Sequence, residues 1–510
     1  MSNIKNQDNN SKKTNWIVGG ALFLFSLIAT FLFDGNSPFY KNQPATDPNY
    51  YFSVGSALNQ GKVLYQDTFD QKGPYMYWLH QLGLKLTPNR GWGVAFIEAI
   101  ILTITLYLIY KIAKQYLSNL GSLIVVAMMP VFLFNTRWYI YGDTAESYAL
   151  PVFLLGILLI LKVMFHPNIK LGWWRPFVFG ISISLIFWMK FTLAISPLLL
   201  ALLLLLMVGK YQGAKEFWRV TLWGVLGMII PTIIVLGYFA AHKALKDLYH
   251  YYFYVNIFLY NGPFSKSRRL LDLLFVRLST DLKDTLLFPA ALIVLISGIL
   301  TRSLIKHKSL FDQVIFALMV LSCFASSLII PKSGYYAGTL VSVVPLAFIQ
   351  IIIWINDLTN FDTMKVPALL GTVILGVSLI SATFVNDNIL SSRLYIVNNP
   401  IEILMKSVKN DHNGSLMVYR TMDFGFYHFA DKVPYSKFPA KYNIPQKVYP
   451  APYNDWNQAI SKKSVKYIVT DKKGRKANRN LKKNYRVINK VNYNQLQGGY
   501  FAKLYLYERK

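Results

Sequence analysis

A polytopic α-helical membrane protein of about eleven spans, followed by a small α/β domain, is the fold class this sequence predicts, and three observations predict it. Of 510 residues, 54% are hydrophobic and only 15% charged. The apolar residues gather in eleven windows that meet or approach the ~20 residues a bilayer core requires. The last 125 or so residues instead have the composition of a soluble domain. A net charge of +29 would point to nucleic acid in a soluble protein. Here the cations sit in inter-span loops and in the tail, so nucleic acid is not a predicted partner and membrane lipid is.

The windows lie near 15–34, 92–112, 119–136, 148–165, 174–190, 192–209, 218–241, 285–302, 309–330, 337–355 and 366–385. Alternate connections carry the positive charges, among them Lys12 and Lys13, Lys111 and Lys114, Lys162 and Lys170, Lys210 and Lys215, Arg302 and Lys306, and Lys365. The positive-inside rule makes that side cytoplasmic. Residues 1–14 then form a cytoplasmic tail, disordered over the first dozen residues. The transmembrane domain runs over 15–386, with a first outer loop at 35–91, and residues 387–510 form an extracytoplasmic α/β domain of a plasma-membrane protein. Within it, "SLMVYR", "VKYIVT", "YRVINKV" and "YFAKLYLYER" read as strands and "NDWNQAISKK" as a helix. The single cysteine, Cys323, excludes an internal disulfide and a thiolate metal cluster.

In the first outer loop, "TDPNYYFSVGSAL" has amphipathic helical spacing, with Pro48 in a first-turn position. This predicts an interfacial helix with Asp47 at its start, either as a plain N-cap or as a reactive carboxylate. The second half, "DTFDQKGPYMYW", brings Asp70, Lys72 and Tyr77 to headgroup level. There Lys72 either snorkels to anionic lipid or meets a phosphate. Lys190, in "FWMKFTLAISP", stands at the outer end of a span, a depth at which an ionisable group usually has an anionic partner. The second outer loop offers Arg137, Asp143 and Glu146, the two acids sharing a face if a helix begins there. "PKSGYY" adds Tyr335 and Tyr336. The seven histidines lack ligand spacing, and no zinc, nucleotide or nucleophile-elbow motif occurs.

Departure of a lipid-linked phosphate builds negative charge at the headgroups and requires cations already in place. An attacking hydroxyl requires a carboxylate to take its proton. Outer acids and outer lysines are what such a transfer needs. The pattern resembles the GT-C fold glycosyltransferases, the group that includes protein O-mannosyltransferases and the lipid A aminoarabinose transferase. "DPNYYFSVGSALNQGKVLY" is similar to their acid-initiated loop helix, "KGPYMYW" to their "KPPxxYW"-like element, and "WMKFTLAISP" to a further lysine-bearing element. Gly73 replaces the first proline of the second element, and the paired acid that usually follows the loop aspartate is absent.

The resemblance implies a membrane glycosyltransferase that uses a polyprenyl-phosphate sugar donor and an extracytoplasmic acceptor; separately, the excess of Lys and Arg in the tail fits either an anionic wall polymer such as teichoic acid or a solvated or lipid-facing surface. The resemblance implies Asp47 as general base and Lys72, Lys190 and Arg137 as donor-phosphate ligands. Asp143, Glu146, Asp70, Tyr77, Tyr335 and Tyr336 would position substrate. No cofactor is expected, with a divalent metal left open. The alternative class is a transporter or flippase of a lipid-linked saccharide, which calls for paired repeats and charges within the spans.

Overall fold

The computed structural model describes residues 2–37, 39–40, 45–87, 91–135, 139, 142–260, 287–306, 308–328, 334–359, 368–386, 389, 399–495 and 500–510. Helices occupy all eleven apolar windows. Among the described residues, six helical stretches are long and apolar enough to cross a bilayer: Thr14–Phe33, Trp92–Ala113, Ala145–Phe165, Phe191–Ala241, Leu310–Ser327 and Gly338–Leu358. Four more are apolar but shorter: Asn119–Leu133, Trp174–Phe187, Ala290–Leu300 and Leu370–Val385. The chain is a multi-pass membrane protein. Two expected windows fall within Phe191–Ala241, where Gly213 (φ 84°, ψ 173°) breaks the helix between them. The first helix, α1 (Ser2–Phe33), runs back through the segment expected to be disordered. Once the apolar span nucleates a helix, each added residue gains a backbone bond.

The chain forms two compact units. One comprises residues 1–33, 96–233 and 265–387, and the other 34–95, 234–264 and 388–510. The first is helical, and its close approaches depend on small residues. A Cβ at Gly180 would fall 2.0 Å from the Gly224 carbonyl oxygen, and one at Gly227 would fall 2.1 Å from that of Phe177. The helix Trp174–Phe187 therefore meets its neighbour backbone to backbone, as small residues permit between membrane helices. Ser196 and Ser326 each donate a backbone N–H to the other's hydroxyl, at 3.0 and 2.9 Å.

The second unit contains α2 (Thr46–Asn59) and α3 (Pro74–Leu86). It also holds a π-helical segment, Tyr249–Leu259, and the C-terminal sheet. All four expected strands form: β1 (Leu416–Tyr419), β2 (Tyr467–Asp471), β3 (Tyr485–Gln495) and β4 (Tyr500–Arg509). Their order is β1-β2-β4-β3, with β1 parallel to β2 and the other pairs antiparallel. The expected helix is Ala451–Ser461, whose Trp456 is wholly buried and donates its indole N–H to the Phe438 carbonyl at 3.0 Å.

The helix α2 forms where the loop sequence predicts, but it has no broad solvent-exposed face. Residues 48–55, 57 and 58 are all buried. Ser53 donates to Asp423 at 2.8 Å, and the Tyr50 hydroxyl bonds the Lys441 carbonyl. Both of these hydroxyls have partners hundreds of residues away. The loop after α2 is sealed in the same manner. Phe69 donates its N–H to the Lys437 carbonyl (2.8 Å), and its own carbonyl accepts from Tyr442 (2.7 Å). Its ring meets those of Tyr251, Tyr442 and Phe438 at 4.8, 5.1 and 5.8 Å.

Candidate active site

The sequence-selected residues form two clusters, one in each unit. In the unit that holds α2, Asp47 occupies the first turn and not the cap, since Ala45 is the cap residue. An acid in the first turn is favoured by the helix dipole, whose positive end it faces. Its carboxylate accepts from Lys72 Nζ at 3.0 Å and from the Tyr51 hydroxyl at 3.3 Å. Lys72 Nζ also lies 5.3 Å from the centroid of the Tyr51 ring. A lysine that snorkels to lipid would not be held in this way.

The backbone of Lys72 is locked by two tyrosines. Its N–H donates to the Tyr77 hydroxyl at 2.8 Å, and its carbonyl accepts from Tyr65 at 2.5 Å. Gly73 then caps α3, with Pro74 at the first helical position, where a missing N–H costs nothing. Asn256, on the π-helical segment, donates to the neighbouring Gln71 carbonyl at 2.9 Å. The resulting ion pair is asymmetric. The Lys72 side chain is 14% exposed and that of Asp47 is 42% exposed, so the carboxylate stays within reach of an incoming hydroxyl.

Asp70 completes this cluster. It is buried and accepts from the Tyr77 hydroxyl at 2.9 Å. Burial raises its pKa above the ordinary carboxylate value, against the opposing pull of Lys72. The folded state therefore holds this proton more tightly than the unfolded chain does. The associated stabilisation is complete below the unfolded aspartate pKa of about 3.9 and is lost as pH rises through the higher folded value. Asp70→Asn is thus expected to gain on the wild type as pH rises from 4 to 7, read as the difference between their melting temperatures. Parallel melting curves across that range would show that Asp70 is not a strained carboxylate.

In the other unit, Lys190 is extended (φ −160°, ψ 97°) just before the short 3-10 turn Phe191–Ala194. Its anionic partner is Glu146, in the first turn of Ala145–Phe165, with Nζ 2.5 Å from Oε1 and the two side chains 10% and 1% exposed. Asp143 and Glu146 do not share a helix face. The helix begins after Thr144, whose hydroxyl caps it by accepting from the Ser147 N–H. Asp143 lies outside with φ 57°, a left-handed conformation that follows Gly142 at φ 85°. Its carboxylate accepts from Tyr148 at 2.9 Å, and its N–H donates to Glu98 Oε1 at 2.6 Å.

Glu98, Tyr51 and Tyr148 were not selected as site residues from the sequence. Glu98 was detectable, being the one acid in a predominantly apolar helix of 22 residues. Tyr51 follows Asp47 by one helical turn. The pairing of Asn256 with Gln71 spans 185 residues and leaves no local signal. Arg137 and the side chains of Tyr335 and Tyr336 lie outside the described residues.

A family model described as dolichyl-phosphate-mannose-protein mannosyltransferase matches residues 71–238, which takes in Lys72, Asp143, Glu146 and Lys190. A similar curated protein is the undecaprenyl phosphate-alpha-4-amino-4-deoxy-L-arabinose arabinosyl transferase 2 of Proteus mirabilis (strain HI4320), 26% identical over 249 residues. That match covers 47% of this chain and 43% of the relative's own length. Crystal structures of ArnT from Cupriavidus metallidurans, in the apo state and bound to undecaprenyl phosphate, each superpose with a TM-score of 0.62 at 11% identity. They cover 97% of this chain and 98% of theirs. With the loop helix, the lysine-bearing turn ahead of α3 and the buried lysine all in place, the chain has the fold of the ArnT crystal structures.

Proposed function

We propose that the protein is an integral membrane glycosyltransferase that moves a sugar from a polyprenyl-phosphate donor to a hydroxyl of an extracytoplasmic acceptor. The observation that carries this reading is the Asp47–Lys72 pair, a reachable carboxylate against a lysine whose backbone is locked on both sides. In the resting protein each neutralises the other. When a donor phosphate takes over Lys72, the Asp47 carboxylate is released to accept the acceptor's proton. The acceptor oxygen then attacks the anomeric carbon, the bond from that carbon to the phosphate oxygen breaks, and the polyprenyl phosphate leaves with its new charge on Lys72. A single displacement of this kind inverts the anomeric centre.

Lys190, positioned by Glu146 within its own unit, is a candidate phosphate ligand in this reading. Asp143, Asp70 and Tyr77 orient substrate or the groups that hold it. The fold shared with a structure bound to undecaprenyl phosphate supports a lipid carrier of that class. The eleven-span topology belongs to the proposal. It gives a cytoplasmic N-terminus, a membrane domain over 15–386 and an extracytoplasmic tail over 387–510. Cysteines introduced into the tail of a Cys323→Ser protein should react with an impermeant maleimide in intact cells, and protection of the tail would reverse the orientation.

The function itself is tested in lipid-reconstituted protein offered a panel of polyprenyl-phosphate sugars and candidate acceptors, a teichoic-acid-like polymer among them. Release of free polyprenyl phosphate, matched mole for mole by product with an inverted linkage, is the expected result. Movement of donor across the bilayer without consumption would make the protein a transporter.

A further inference from the structure

A cavity lies within the unit that carries Asp47. It holds about 390 Å³, in the size range of small-molecule sites, and it is lined mainly by polar groups. Ser56 and Gln60 of α2 form one wall, and the tail contributes Lys409, Asp431 and Lys432. Phe52, Leu84 and Tyr427 are among its lining residues, and Phe52 and Tyr427 are buried. Gln60, Lys409 and Asp431 are exposed, which leaves the mouth open to solvent.

This cavity is separate from the Asp47–Lys72 cluster. At 100° per residue, Ser56 stands about 180° round α2 from Asp47 and ~14 Å further along its axis. Its cationic side is built by a specific turn. The short helix Phe426–Ala430 ends with Asp431 in the left-handed conformation (φ 52°), where glycine is the usual residue. The N–H of Asp431 bonds the His428 carbonyl at 3.1 Å, and that of Lys432 bonds the Tyr427 carbonyl at 3.0 Å. The turn thus brings an acid and a lysine to the rim together. Lys432 donates one of its three N–H groups to the His412 carbonyl at 2.9 Å, and an ammonium has two more.

We propose that this cavity is a binding site for an anionic saccharide, a sugar bearing a phosphate or a carboxylate. Lys409 and Lys432 meet the anion. Ser56, Gln60 and Asp431 exchange hydrogen bonds with ring hydroxyls, and Phe52 and Tyr427 face the apolar side of the ring. Asp431 also disfavours a pure polyanion, which would bring a second charge against it. On the reading of the protein as a glycosyltransferase, on which this role rests, the site retains one unit of a polymeric acceptor while another unit reacts. It raises the acceptor's effective concentration without entering the chemistry.

The test uses full-length protein in lipid nanodiscs, with sucrose 6-phosphate, sucrose and inorganic phosphate as titrants followed by calorimetry. Sucrose 6-phosphate should bind at least ~10-fold more tightly than either of the others. The Lys409→Gln/Lys432→Gln variant should lose at least ~10-fold of that affinity, and Ser56→Trp, which fills the cavity from its other wall, should lose binding altogether. Equal affinity for inorganic phosphate and sucrose 6-phosphate would overturn the saccharide assignment. Wild-type affinity in both variants, or no binding by the wild type, would overturn the site. Polyprenyl-phosphate release with a short acceptor should be unchanged in both variants, with KM raised only for a polymer. Absence of that release in the wild type would defeat the transferase reading alone, because the calorimetric result does not depend on turnover.

Discussion

Asp47→Asn is expected to lower sugar transfer by about 10²–10⁴-fold while donor binding and folding are retained, because a positioned proton acceptor contributes on that scale. Asparagine keeps an oxygen for the Tyr51 hydroxyl and for one Lys72 hydrogen bond, so the local geometry has no cause to collapse. What it removes is basicity. The ion pair itself adds little to stability, since the Asp47 side chain is 42% exposed and pairs of that kind contribute about 0–1 kcal/mol. The informative result is therefore a fall in turnover at an unchanged melting temperature. Full activity in Asp47→Asn would reduce Asp47 to an acid that complements the helix dipole.

The largest stability effect is expected at the other pair. Glu146→Gln leaves the ammonium of Lys190 buried with its carboxylate partner removed. Breaking one side of a buried ion pair costs about 3–5 kcal/mol. The double replacement Glu146→Leu/Lys190→Met removes both charges and should recover most of that loss, since an apolar pair of similar volume is often no worse than the ions. The two roles of Lys190 separate here. A double variant that melts like the wild type but turns over no donor assigns the lysine to phosphate binding. A double variant that is both stable and active confines the pair to structure. Unfolding in mixed micelles supplies the stability arm, and polyprenyl-phosphate release supplies the other.

How far the site was legible in the sequence varies residue by residue. Lys72 stands out through its neighbours, because Gly73 and Pro74 mark a helix start that fixes where the lysine stands. Lys190 stands out because a cation at the end of an apolar span demands a partner, yet 44 residues separate it from Glu146 and no periodicity links them. The spacing of Asp143 and Glu146 suggested a shared helix face. The left-handed backbone at Asp143 defeats that reading, and only the fold reveals Glu98 as the group that holds its N–H. The covering of α2 was hidden for a related reason. Its pattern of polar residues is that of a half-exposed helix, and the groups that cover Ser53 and Tyr50 come from the tail, 370 and 391 residues further on.

By itself the sequence determined the membrane class, the position of the apolar helix windows, the four strands and helix of the tail, and the helix start that follows Lys72. These follow from local quantities: the length of an apolar run, the alternation of a strand, and the residues that start or stop a helix. Tertiary structure alone decided which charges neutralise each other, which face of α2 is covered, and how the tail's turn at Asp431 completes a polar cavity against α2. Those outcomes depend on contacts between residues far apart in the chain. A charge becomes a reactive group or a structural pair according to the partner and the solvent that the fold leaves it.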